Sequence, residues 1–100
     1  MQIDLTKDAL SDLADIQRYT ALNWGLRQAQ RYENKLKKCF EAVAKNPKRA
    51  VMRDGIPRKL KAFMCQKHVL IFDATDKKVS IVRILHQAMD PRLHLDNGVA

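Results

Sequence analysis

One hundred residues make a single domain, 1–100, long enough to bury one modest core. No apolar run is long enough to span a bilayer, and Met-Gln-Ile-Asp-Leu at the N-terminus carries no secretory pattern. Two cysteines without Cys-x-x-Cys spacing read as reduced thiols of a cytoplasmic chain. The net charge of +8 is uneven: residues 1–34 carry four basic and five acidic side chains, residues 35–100 fifteen and six. This basic field, densest from Lys35 to Lys67, favours nucleic acid or an Asp/Glu-rich polypeptide, although a solvated basic face needs no ligand.

Gln2–Leu5 reads as a short strand with Ile3 and Leu5 on one side. Thr6 suits an N-cap, worth about 1 kcal/mol, and Asp8 sits in the first turn, where the helix dipole favours an anion. Ala9, Leu13, Ile16 and Thr20 recur at helical spacing and predict a helix over Lys7–Leu22, with Asp12, Asp15 and Arg18 on its wet side. Asn23-Trp24-Gly25 interrupts it, Gly25 supplying a helix-ending conformation. Trp24, the only tryptophan, reads first as a cover over the end of the core and second as an exposed anchor for a partner. A second helix carries the apolar stripe Ala29, Tyr32, Leu36, Cys39, Phe40 and Val43, with Lys45 near its end and Pro47 as a stop.

Turn signals fill residues 46–58, and three strands follow: Lys59–Met64, His68–Phe72 and Val79–Leu85, joined by links short enough for hairpins. A polar tail begins at Gln87. Leu60, Ala62 and Met64 share one face of the first of these strands; Lys59, Lys61 and Phe63 share the other, where Phe63 is either a platform for stacked bases or packed under the helices. The order β-α-α-β-β-β implies an α+β fold, a helical hairpin packed on one face of a small antiparallel sheet. The opposite face of the sheet would be open to a partner.

Residues 79–90 carry the most information. Alternation places Val79, Ile81, Arg83 and Leu85 on one face and Val82, Ile84 and His86 on the other. A guanidinium in a core strand needs a partner or an opening to water. Arg83, His86 and Asp90 gather where the strand ends. No zinc-ligand spacing, Gly-rich phosphate loop or nucleophile elbow occurs, so no metal and no cofactor is expected. The remaining polar inventory would suit metal-free RNA cleavage, with histidine as acid or base and cations on the phosphate. Packing, caps and protein contacts account for the same residues.

Several segments occur in a telling order: Ala9-x-x-Asp12-Leu13-x-x-Ile16-x-x-Tyr19; Trp24-Gly25-x-x-x-Ala29-x-x-Tyr32-x-x-x-Leu36; Asn46-Pro47; Arg58; His68-Val69-Leu70-Ile71-Phe72; and Val82-Arg83-Ile84-Leu85-His86-x-x-Met89-Asp90. Over nearly its whole length the chain resembles the ParE toxins of the RelE/ParE superfamily. The resemblance implies the toxin half of a type II toxin–antitoxin system, of the kind tied to plasmid stabilisation. Such a toxin is silenced by a ParD-like antitoxin with an acidic tail, and it arrests growth by binding DNA gyrase, through the A-type subunit of that enzyme, without catalysis. No membrane partner is implied, and no direct DNA binding without the antitoxin. Target contact then falls on Arg83, His86, Met89, Asp90, Arg92 and Leu95, and antitoxin contact on Trp24, Arg58, Lys59 and Lys61. RelE-type relatives share the fold and cut mRNA on the ribosome, often with a C-terminal tyrosine. Here no tyrosine follows Tyr32, so an endoribonuclease would have to use His68, Arg83, His86 and Asp90.

Overall fold

The computed structural model describes residues 2–50, 55–57 and 59–95, with the backbone alone at Arg49. β1 (Gln2–Leu5) leads through Thr6 into α1 (Lys7–Trp24). Thr6 caps α1: its Oγ1 accepts from the Ala9 N–H at 3.1 Å and donates to the Val82 carbonyl at 2.8 Å. The cap therefore also ties the helix start to a distant strand. α1 runs two residues past its expected end, so Trp24 belongs to its last turn. Gly25, at φ 93°, serves both helices. Its N–H donates to the Ala21 carbonyl, and its own carbonyl accepts from the Ala29 N–H of α2 (Leu26–Lys45). A 3-10 turn, Pro47–Arg49, follows.

Three further strands, β2 (Lys61–Cys65), β3 (His68–Ala74) and β4 (Lys78–His86), precede a one-turn helix α3 (Pro91–His94) in what reads from sequence as a polar tail. The sheet order is β1-β4-β3-β2. β2, β3 and β4 pair antiparallel, as expected. β1 pairs parallel with β4, from Gln2 opposite Lys78 to Leu5 opposite Ile81, so the sheet is mixed. No hairpin can join parallel neighbours, and here the whole helical hairpin and two strands intervene.

The helical hairpin covers one face. Ala9, Leu36, Phe40 and Val43 meet Cys65, Leu70, Phe72, Val79, Ile81 and Ile84, with Phe63 packed against them. Phe63 is thus part of this core and not an open platform. Each large apolar side chain fully buried here contributes about 1.5–3 kcal/mol. The opposite face, expected to be open, is closed. Leu60, Ala62, Val69, Ile71 and Leu85 form a second cluster, and Ile56, Val82 and Leu95 pack on it. Apolar residues in the loop before β2 and in the C-terminal segment fold back onto a strand face that would otherwise meet water.

Cys39 and Cys65, expected as free thiols, are joined in a disulfide between α2 and β2, with Cα atoms 6.1 Å apart. The two lie 26 positions apart in the chain, and only the crossing of α2 over the end of β2 brings them together. Closing a loop of that length restrains the unfolded chain by about 3–4 kcal/mol in the chain-entropy picture.

Candidate functional site

β4 does not alternate strictly. Ile71 pairs with Arg83 and Phe72 with Ile81, leaving Val82 as the extra residue of a bulge. Val79, Ile81 and Ile84 therefore join the core under the helices, while Val82 and Leu85 pack on the opposite face. This corrects the alternation read from the sequence, which places Leu85 with Val79 and Ile81.

The partner that Arg83 needs is Asp12 of α1. Asp12 does not lie on the wet side of its helix: its side chain is only 12% exposed, and that of Arg83 only 21%. Asp12 Oδ2 accepts from Arg83 Nε at 2.8 Å and from the Ile84 N–H at 2.9 Å; Asp12 Oδ1 accepts from Arg83 Nη2 at 2.9 Å. Arg83 Nη1 donates to the His94 carbonyl at 2.6 Å. β1 stops opposite Ile81, and beyond that point α1 lies along the edge of β4. The Asp12 carboxylate fills the place of a strand neighbour for the Ile84 N–H. Its hydrogen bonds raise the Arg83 pKa further above its ordinary value, against the opposing effect of burial.

His68 and His86 face each other across β3 and β4, their rings perpendicular and 5.4 Å apart. The Tyr32 hydroxyl from α2 accepts from the Lys67 N–H at 3.3 Å and lies 2.6 Å from His68 Nδ1, to which it donates in the neutral tautomer protonated at Nε2. Burial first, and His86 second, push the His68 pKa down to about 4, so the neutral ring is the state present near pH 7. Burial likewise pushes the Tyr32 hydroxyl up, keeping it a donor. His86 Nδ1 accepts from the Ala88 N–H at 3.1 Å, which shapes the exit from β4.

Asp90 caps α3. Its Oδ1 accepts from the Arg92 N–H at 3.0 Å and from Arg92 Nε at 3.2 Å. The backbone hydrogen bond, then the side-chain one, hold the carboxyl below its ordinary range. Pro91 is buried and Leu95 packs on the second cluster, while Met89 and Leu93 are exposed, Leu93 by 80%. The Arg92 side chain lies over Gly55, where an added Cβ would come within 2.9 Å of Arg92 Cγ. Of the four residues a ribonuclease would use, the structure brings His68 and His86 together. It engages Arg83 with Asp12 and His94, and Asp90 with Arg92.

At the far end of the helical hairpin, Trp24 does not cover the core. It is 62% exposed and meets the Tyr19 ring edge-on at 5.8 Å. Leu22 and Leu26 beside it in the chain are 80% and 82% exposed. Lys59 and Lys61 are exposed, and Arg58 lies outside the described residues. Among the described residues no group of three His, Cys, Asp or Glu side chains is placed to hold a metal, and no helix is long and apolar enough to cross a membrane. Sequence reasoning did not single out Asp12 (which meets Arg83), Tyr32 (which meets His68) or Leu93 (which is exposed on α3). For Asp12 the signal was present: position 12 falls between Ala9, Leu13 and Ile16 on the apolar stripe.

This arrangement, a helical hairpin over a mixed four-stranded sheet, is also that of a chain from the chromosomal ParDE TA system of P. aeruginosa. The two agree with a TM-score of 0.75 at 16% identity, over 86% of this chain and 95% of that one. The fold is therefore of a class found in toxin–antitoxin systems. Residues 3–91 match the ParE toxins of the type II toxin–antitoxin system parDE. The chain is 32% identical over 91 residues to Toxin ParE1 of Caulobacter vibrioides, covering 91% of this chain and 94% of that protein. It is 30% identical over 87 residues to Toxin ParE1 of Mycobacterium tuberculosis, covering 86% and 89% respectively. The chain belongs to the ParE toxin family.

Proposed function

We propose that this ParE-family toxin arrests growth by binding the A-type subunit of DNA gyrase, without cleaving nucleic acid. We further propose that a ParD-like antitoxin silences it in the cytoplasm, in a pair that can stabilise a plasmid. The observation that carries this reading is the C-terminal segment, which combines buried anchors with exposed side chains. Met89, Arg92 and Leu93 point outward for a protein target, while Pro91 and Leu95 anchor the backbone. His86 and Asp90 shape the segment through the Ala88 and Arg92 N–H groups, and Arg83 holds it. The antitoxin has two features to meet: the apolar tip around Trp24, and the basic run Arg58, Lys59 and Lys61, which complements an acidic tail.

The test is brief expression of the toxin followed by parallel assays of gyrase supercoiling and mRNA integrity. Blocked supercoiling with intact mRNA is the expected result. New mRNA ends with supercoiling untouched would overturn the reading and point to the His68–His86 pair instead.

A further inference from the structure

We propose that Asp12 is a positioning residue for target contact: acting through Arg83, it latches residues 90–95 onto the sheet. The inference rests on reading that segment as the part that meets the target. One guanidinium divides its donors between two elements. Nε and Nη2 grip Asp12 on α1, and Nη1 reaches the His94 carbonyl at the end of α3. The planar fork can aim Nη1 at His94 only while its other edge is fixed, and two parallel bonds to one carboxylate fix it. Asp12 is fixed in turn by the Ile84 N–H. Among the described residues, the other hydrogen bonds of residues 90–95 run within the segment itself: Arg92 to Asp90, Leu93 to Asp90 and Leu95 to Pro91. A four-residue helix has no stability of its own. Among the described residues, the orientation of Leu93 and Arg92 therefore depends on the apolar seat of Pro91 and Leu95, on the packing of Arg92 over Gly55 and on this charged tether.

Two variants separate the tether from mere charge balance. Asp12→Asn removes the charge that grips the fork. Arg83→Lys keeps a cation but cannot span Asp12 and His94 together. Undocking exposes the Arg92–Leu93 bond to trypsin, and mass spectrometry of early time points follows release of the peptide that begins at Leu93. Losing a charge-assisted hydrogen bond shifts a local opening equilibrium by about tenfold or more. Both variants should therefore release that peptide about tenfold faster than the wild type. In cells, the toxin level needed to arrest growth should rise by a similar factor.

Unchanged cleavage in both variants overturns the latch. Faster cleavage with undiminished growth arrest overturns the positioning role. Should Asp12→Asn fail to melt cooperatively, Arg83→Lys decides the matter, since it keeps both charges and removes only the fork that spans Asp12 and His94. It should speed cleavage and weaken growth arrest, and full arrest by that variant would equally overturn the proposal. Growth arrest does not presuppose gyrase, so failure of the gyrase reading leaves these results decisive.

Discussion

The two faces of the sheet are covered very differently. On one, two long helices bury Phe72, Leu70 and Ile81 beneath Leu36, Phe40 and Val43, and a disulfide ties α2 to β2. On the other, the cover that the described residues supply is smaller: Ile56, Leu60, Leu95 and a segment tethered through Arg83. Local opening is easiest where apolar contacts are few. The contrast places the proposed target-binding segment on the side with the smaller described cover, while the helix-covered side carries the hairpin that presents Trp24.

Breaking the thick side should have the largest effect. Phe72→Ala removes a side chain with no exposed surface from the centre of the larger core. It should lower stability by about 3–5 kcal/mol, visible as a lower midpoint in denaturant for the whole domain. Reducing the Cys39–Cys65 bridge should rank next, at about 3–4 kcal/mol from the 26-residue separation. A midpoint unmoved by reductant would show that the bridge adds little to the helix side. Leu95→Ala, on the thin side, should remove only about 1–2 kcal/mol, its site being partly exposed. Its effect should be local, with faster amide exchange in 90–95 and unchanged protection in β3. Equal loosening of β3 would erase the distinction between the faces.

The smallest effect should come from His68. The folded ring has a pKa of about 4, against about 6.5 in the unfolded chain. Between those values the unfolded chain binds a proton that the fold excludes. Stability is therefore fully present above about pH 6.5 and falls as the pH drops towards 4. Solvent screening of a partly exposed ring limits the loss to about 1–2 kcal/mol. An NMR titration that returned an ordinary histidine pKa would contradict the burial of the His68 ring beside His86.

Much of this architecture was legible because it rests on local periodicity. The α2 stripe from Ala29 to Val43, the Thr6 cap, the Gly25 break and the β2–β3–β4 meander all follow from spacing and turn chemistry. The bulge at Val82 was not legible. One inserted residue reverses a period of two, and only the partner strand reveals it. Asp12 was misassigned because a carboxylate on an apolar stripe looks like an outlier until its cation is found 71 positions away. The disulfide and the closure of the second face are likewise non-local, set by how α2 crosses β2 and where Leu95 lands. The segment proposed for target contact was singled out by resemblance. Which of its residues point outward emerged only from the fold, which exposes Leu93 and turns Leu95 inward.

The most direct test of the account is gyrase supercoiling titrated with the purified wild-type toxin and with Leu93→Asp. Leu93 is 80% exposed, so the substitution should leave the melting temperature unchanged. Wild-type toxin should block supercoiling, and the variant should require about tenfold more protein or fail, as expected for the loss of an apolar anchor at a contact centre. Equal inhibition by both would contradict the claim that the C-terminal segment meets the target.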